Sequence, residues 1–330
     1  MDRRKFIRIG MFTAMAARIG MQDLLADSMT ETPKWNKGLA KKGFDGPVTS
    51  EIGTASASDL TVRFLGTGAS GWTDPDCGRR RHSSVLLDGK VLIDFTFSAE
   101  PMVPKGCHPR IIFYTHSHSD HFDPSAALRA GVRKVYVSDT WVERARRSYS
   151  EASEATGIPM PEFVPMALGE KVQVEGLCLT SMPANHPTSD LKEQAVIYMV
   201  EKGTTDERLG VRLLYATDTG GILGSAARIG GFDPLSKTFR PITAFIMEGT
   251  IPPNQEEDYR IFSHTTIEDV GRIANTMLQK GRYLPPEGQP AYLTHMSTKN
   301  FPPHDELNRI IPWPLRASYD GQEVIFRAVA

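Results

Sequence analysis

The chain has 330 residues, 40% apolar and 23% charged, an ordinary globular composition with material for one large core. No stretch reaches the roughly 18 consecutive apolar residues that a membrane span requires. The formal net charge is −1, so no global positive field gathers nucleic acid, and the expected partner is a small-molecule substrate, with neither nucleic acid nor a membrane expected.

Met1-Asp2-Arg3-Arg4-Lys5-Phe6-Ile7 places two arginines ahead of a short apolar run, Ile9 to Ala17. A charged region before a short apolar one is the plan of an export signal, and the arginine pair points to the twin-arginine route and a periplasmic protein. The signal is expected over 1–26, with Leu24-Leu25-Ala26 as the cleavage candidate. Residues 27–58 are rich in Lys, Gly, Thr and Ser and read as a linker or N-terminal extension. A single domain is expected over 59–330.

From Leu60 the pattern changes. Thr61 to Leu65 alternates as a strand and runs into the turn Gly66-Thr67-Gly68. Ser84–Leu87 and Val91–Ile93 flank Asp88-Gly89 as a hairpin. Ile111–Tyr114 reads as a short buried strand. Asp123-Pro124 opens a helix, with aspartate at the N-cap and proline at the first helical position, and Gly131 closes it. A strand over 132–137 and a helix over 141–155 follow. Further strands are expected near 172–182, 195–201, 211–216, 242–247, 291–294 and 315–326, with a helix at about 266–279. Strands and helices alternating over about 270 residues predict one α/β domain of layered sheets.

Cys77, Cys107 and Cys178 show no Cys-x-x-Cys spacing, so neither a disulfide framework nor a structural zinc cluster is encoded. Cys178, in an apolar run, is expected to be a buried core thiol. Arg79-Arg80-Arg81 reads either as a solvated loop or as a contact to substrate phosphate. Trp72 is a candidate pocket wall, core or lid residue. His82 is a candidate substrate contact, and His108 and His304 are expected at the surface.

Chemistry concentrates in Thr115-His116-Ser117-His118-Ser119-Asp120-His121, between a buried strand and a capped helix. Four ligand-type side chains in six loop residues can converge on one point, since imidazole suits zinc and its neighbours and carboxylate adds a harder oxygen. His186, Asp218 and His295 also follow strands, where functional residues gather.

Together these residues resemble the metallo-β-lactamase superfamily. Ser263-His264-Thr265-Thr266 and Leu293-Thr294-His295-Met296-Ser297 resemble its branch holding ribonuclease Z and the cyclic-phosphate phosphodiesterase of phosphonate degradation. The resemblance covers roughly 60 to 326 and implies a four-layered αββα fold. It also implies two divalent metal ions, with zinc the default and manganese or iron suited to a carboxylate-bridged site. His116, His118 and His186 would hold the first ion, Asp120, His121 and His295 the second, and Asp218 both. Asp120, His264 and Glu248 would serve catalysis. Two cations sharing a hydroxide suit in-line displacement, so the expected activity is hydrolysis of a small phosphodiester or cyclic phosphate. A carboxylic ester, lactone or β-lactam is the alternative substrate. The cysteine cluster that cyclic-phosphate relatives carry after the first glycine turn is reduced to Cys77, so no structural zinc is expected there. No basic insertion for gripping RNA is present and export would separate the enzyme from tRNA, so ribonuclease Z activity is not expected. Thr265 and Glu268 form a capping-box pattern that would set His264 just before a helix whose N-terminus favours phosphate.

Overall fold

The apolar runs after Leu60 become strands that are buried on both faces, which is why they read as nearly continuous hydrophobic sequence. In the computed structural model, residues 54–330 are described except 75–77, 234, 237–238, 256 and 298–300. The expected export signal and all but the last residues of the extension lie outside the described residues.

The first sheet contains β1 (Leu60–Gly66), β2 (Ser84–Leu87), β3 (Val91–Ile93), β4 (Ile111–Phe113), β5 (Lys134–Ser138) and β6 (Glu162–Met166). The second contains β7 (Lys171–Val174), β8 (Leu177–Pro183), β9 (Val196–Lys202), β10 (Val211–Ala216), β11 (Ala244–Glu248), β12 (Ala291–Thr294) and β13 (Leu315–Ala317). The last strand, β14 (Glu323–Phe326), returns to the first sheet beside β1. Each sheet has three antiparallel pairings followed by three parallel ones, running β14-β1-β2-β3-β4-β5-β6 and β7-β8-β9-β10-β11-β12-β13. The two halves therefore share a pairing plan that no sequence repeat announces.

Alternation along each strand sorts the side chains into layers. Val62, Phe64 and Leu87 meet Leu179, Tyr198, Leu213 and Ile246 between the sheets. Leu86, Leu92, Ile112 and Val135 point outward against α1 (Pro124–Ala130) and α2 (Val142–Thr156). On the opposite side Leu214, Phe245, Met247 and Leu293 pack with α3 (Gly224–Ile229), α4 (Ile267–Gln279) and α5 (His304–Ile310). The result is one αββα domain, as expected.

Local signals worked where one side chain sets the geometry. Asp123 caps α1 by accepting from the Ala126 amide, and Gly131 ends it in the left-handed conformation (φ 102°). Asp88-Gly89 turns the β2–β3 hairpin with φ of 48° and 69°, the sign pattern of a tight hairpin turn. Two expected strands prove to be pairs. The 172–182 run breaks at Glu175-Gly176, both at positive φ, into the β7–β8 hairpin. The 315–326 run breaks at Gly321, and its halves belong to different sheets. β6, with Pro165 inside it, was not anticipated; as an edge strand it tolerates a residue that cannot donate to the ladder. α3 was also missed. The cap of α4 lies one residue later than expected: Thr266 accepts from the Asp269 amide, whereas Thr265 bonds the Glu248 carbonyl and Glu268 the Asn254 amide. Cys178 is half-buried, not a core thiol.

Candidate metal centre

The donors lie where strands end. β4 leads into the 115–121 loop, β8 into His186, β10 into Asp218 and β12 into His295. Among the described residues, Asp94, Asp218 and His295 are non-glycine positions at positive φ (55°, 45° and 52°). Such conformations cost on the order of 1–3 kcal/mol each and persist where the surroundings fix them.

Asp94, directly after β3, fixes both ends of the histidine loop. It is fully buried and accepts from the Thr115 amide and hydroxyl and from His121 Nδ1, each at 2.8 Å. With Nδ1–H donated outward, His121 presents Nε2 inward, 3.0 Å from Asp218 Oδ2. His186 does the same: Nδ1 faces the Ser263 carbonyl at 3.2 Å, which leaves Nε2 3.2 Å from His118 Nδ1. His116 Nε2 lies 2.9 Å from His118 Nδ1 and 3.0 Å from Asp218 Oδ2. On the other side His295 Nε2 is 3.1 Å from His121 Nε2, with Asp120 Oδ2 at 3.6 and 3.7 Å from the two.

These residues form two groups whose ligand atoms lie within 4.8 Å of one another: His116, His118, His186 and Asp218, and Asp120, His121 and His295. Asp218 also touches the second group, with Oδ1 2.9 Å from His295 Nδ1. The grouping matches the division expected from sequence. The donor set suits cations: His121 and His186, with Nδ1 bonded outward, each turn the Nε2 lone pair toward a neighbouring ring nitrogen. Asp218 Oδ1 is buried without an acceptable hydrogen bond, a costly state that a cation would relieve.

The electrostatics divide the same way. Burial pushes His118 down to about 4 and His186 to about 3, so both offer neutral imidazole, the form a metal binds. Burial also acts against charge on His295, but Asp218 and Asp120 outweigh it and pull the imidazole up to about 10. Burial pushes the Asp218 carboxyl up, yet His295 and His121 hold it well below the carboxylate range. So many carboxylates in a buried space call for positive charge, from protons or from cations.

A third group of possible donors joins Asp218, Glu248, His264 and His295. Glu248 is already committed: Oε1 accepts from the Thr219 amide at 2.6 Å and Oε2 from the Thr250 hydroxyl and from His264 Nδ1, the latter at 2.8 Å. We therefore read it as the partner of His264 rather than a ligand. Burial lowers the His264 pKa, but the Glu248 contact more than reverses this and holds it above the ordinary value.

The site opens into a cavity of about 610 Å³ lined by His118, Asp120, His186, Asp218, His264 and His295, and also by Arg79, Tyr259 and Arg260. The α4 N-terminus does not form the expected phosphate seat, because no residue of α4 lines the cavity and the Asp269 amide is taken by the Thr266 hydroxyl. The arginine run also divides. Arg79 lines the cavity with one guanidinium nitrogen donating to the Gly71 carbonyl, Arg80 is spent on Thr67 and the Ser318 carbonyl, and Arg81 bonds the Ser98 carbonyl and covers Trp72. His82 is buried and bonded to Thr96, away from the cavity lining. Trp72 is buried against Phe97. His108 is exposed, and His304, the first residue of α5, is half-buried against Arg80, Asn308 and Tyr319. Sequence reading missed Asp94 and Thr250. Asp94 had a signal, since like Asp218 it follows a buried apolar strand.

A sandwich of two such sheets with histidines and aspartates at their strand ends defines a class. The sequence pattern of the β-lactamase superfamily domain matches residues 90–285, more than half the chain, and the chain belongs to that family. Two curated relatives from Thermus thermophilus strains, each described as a metal-dependent hydrolase, are 34% identical over 144 residues, 42% of this chain. The match spans 58% of those relatives' length. Among solved structures, the metallo-β-lactamase fold protein YhfI of Bacillus subtilis aligns at TM-score 0.55 and 15% identity over 81% of this chain and 99% of its own. Zinc-bound PqqB of Methylobacterium extorquens aligns at 0.54 and 16%, over 80% and 99%. At such identities these neighbours show the fold alone.

Asp94→Asn keeps the size of the side chain but removes an acceptor that fixes the His121 ring. Zinc affinity at the Asp120, His121 and His295 group should fall about 10–100-fold, read by competition with a chromophoric chelator. Unchanged affinity would show that Asp94 does not orient His121.

Proposed function

We propose that the protein is a dinuclear metal-dependent hydrolase, and within that class a phosphodiesterase acting on a small phosphodiester or cyclic phosphate. The observation that carries the finer reading is His264, which lines the cavity beside the two groups of donors and is held from behind by the buried Glu248. The cavity volume falls within the usual range for small-molecule sites, and Arg79 suits an anionic substrate. The motifs around His264 and His295 that resemble the ribonuclease Z and cyclic-phosphate phosphodiesterase branch support the same reading.

His116, His118 and His186 would hold one divalent ion, Asp120, His121 and His295 the other, and Asp218 would touch both. Bound divalent ions, zinc by default, would polarise the phosphoryl oxygens and lower the pKa of water to supply a nucleophile near neutral pH. The chain's own residues do the rest. Asp94 holds the His121 ring, the Ser263 carbonyl holds His186, and Asp120 reaches toward the cavity as an oxygen donor. Glu248 accepts from His264 Nδ1, which keeps the imidazole protonated and leaves Nε2 to donate to the leaving oxygen.

The sign of the pH dependence follows. A His264 pKa raised by Glu248 extends the acid form to higher pH than an ordinary imidazole would keep it, and kcat should fall as pH rises through the raised pKa. His264→Ala should retain metal and fold while kcat drops about 10²–10⁴-fold and the alkaline limb disappears. The loss should shrink for p-nitrophenyl esters, whose leaving group needs little protonation. Loss of a metal ion, or equal slowing on good and poor leaving groups, would rule out the acid role.

Export by the twin-arginine route to the periplasm belongs to the proposal, supported by Arg3-Arg4 and the apolar run after them. Arg3→Lys with Arg4→Lys keeps the charge but removes the address that the receptor reads, so the protein should stay in the cytoplasm. Undiminished periplasmic recovery of the double variant would refute the signal.

A further inference from the structure

Ser117 lies between His116 and His118, and its backbone must turn one ring into the core and the other toward the cavity. Both of its donors go to one side chain: Glu193 Oε1 accepts from the Ser117 amide at 2.8 Å and Oε2 from the Ser117 hydroxyl at 2.7 Å. Glu193 is fully buried at its side chain and is paired with Arg144 of α2, which also reaches the Ser117 hydroxyl at 2.6 Å. A buried carboxylate with both oxygens and its counter-charge engaged is a rigid anchor, since releasing it leaves several polar groups unpaired.

Glu193 belongs to the connection from β8 to β9, the same segment that carries His186. Its neighbours attach that segment at two more points, the Gln194 amide to Thr140 at 2.9 Å and the Val196 amide to the Thr115 carbonyl at 2.9 Å. One buried carboxylate therefore joins the loop bearing His116 and His118 to the loop bearing His186, and those three histidines form a single group. No contact of this kind runs from Glu193 to Asp120, His121 or His295 among the described residues. Asp94 serves His121 directly; Glu193 serves the other group through the backbone.

We propose that Glu193 is a positioning residue that, through Ser117, sets the aim of His116 and His118 and so the affinity of their half of the centre, independently of the other half. This rests on the metal reading above. Glu193→Gln keeps the shape but supplies one acceptor where Ser117 needs two, and it turns an amide group toward Arg144.

The test measures Zn²⁺ binding in two backgrounds. In His295→Ala, which leaves His116, His118, His186 and Asp218, adding Glu193→Gln should weaken zinc about 10–100-fold. In His186→Ala, which leaves Asp120, His121, His295 and Asp218, the same change should move affinity by no more than about twofold. Ser117→Ala removes only the hydroxyl donor and should give a smaller loss confined to the first background, which keeps the test usable if Glu193→Gln folds poorly. Glu201→Gln, in the distant buried pair with Arg212, should lower Tm with zinc affinity unchanged in both backgrounds. Equal weakening in both backgrounds, or none in the first, would overturn the positioning role while leaving the metal reading intact. Failure of the parent chain to bind zinc would overturn the metal reading, and this role with it.

Discussion

Asp218 is a carboxylate buried at the end of β10 with five imidazoles around it. Nitrogens of His116 and His121 lie 3.0 Å from Oδ2 and that of His186 at 3.7 Å, while those of His295 and His264 lie 2.9 and 3.6 Å from Oδ1. An isolated buried carboxylate is prohibitively costly, so the surrounding structure must bring positive charge to it. Four of the histidines arrive from three separate strand ends; His121 is aimed by an outward bond to Asp94, His186 by the Ser263 carbonyl and His116 by the Thr115 hydroxyl. The left-handed backbone at Asp218 and His295 is the local cost of making those ends meet.

The double-sheet architecture makes that convergence possible. Parallel pairing of β3, β4, β5 and β6 in one sheet and of β10, β11, β12 and β13 in the other sends several carboxyl ends toward the same edge. Packing between the sheets, through residues such as Phe64, Tyr198 and Leu213, then holds two independent sets of strand ends a few ångströms apart. Helices on both outer faces cover the strands without intruding on that edge. Rigidity here would serve chemistry, because a donor misplaced by an ångström could no longer share a cation with its neighbours.

Most of this was legible where a residue type and its place in an element pointed the same way. The capped α1, the hairpin at Asp88-Gly89 and the strand-end donors His186, Asp218 and His295 each followed from local rules. The 115–121 cluster was legible because four ligand-type side chains in six residues have few other uses. What failed was non-local. Nothing in the 315–326 run says that its two ends pair with different sheets. Glu193 sits in a polar loop of Asp, Leu, Lys and Glu that reads as a solvated connection, and only the fold buries it under Ser117. Of Arg79, Arg80 and Arg81, sequence could not tell which faces the cavity, because the choice depends on what packs on each side. The α4 cap slipped by one residue since Thr265 and Thr266 are chemically equivalent and the Glu248 carbonyl decides between them.

Glu248, a catalytic candidate in the sequence together with His264, accepts from the Nδ1 of that histidine at 2.8 Å. The most direct test of the whole arrangement is the shared role of Asp218. Elemental analysis of zinc-reconstituted protein should give two ions per chain, and Asp218→Ala should lose both together, because one carboxylate serves both groups. A variant that keeps one tightly bound ion, or a parent chain that saturates at a single ion, would contradict a centre built around that carboxylate.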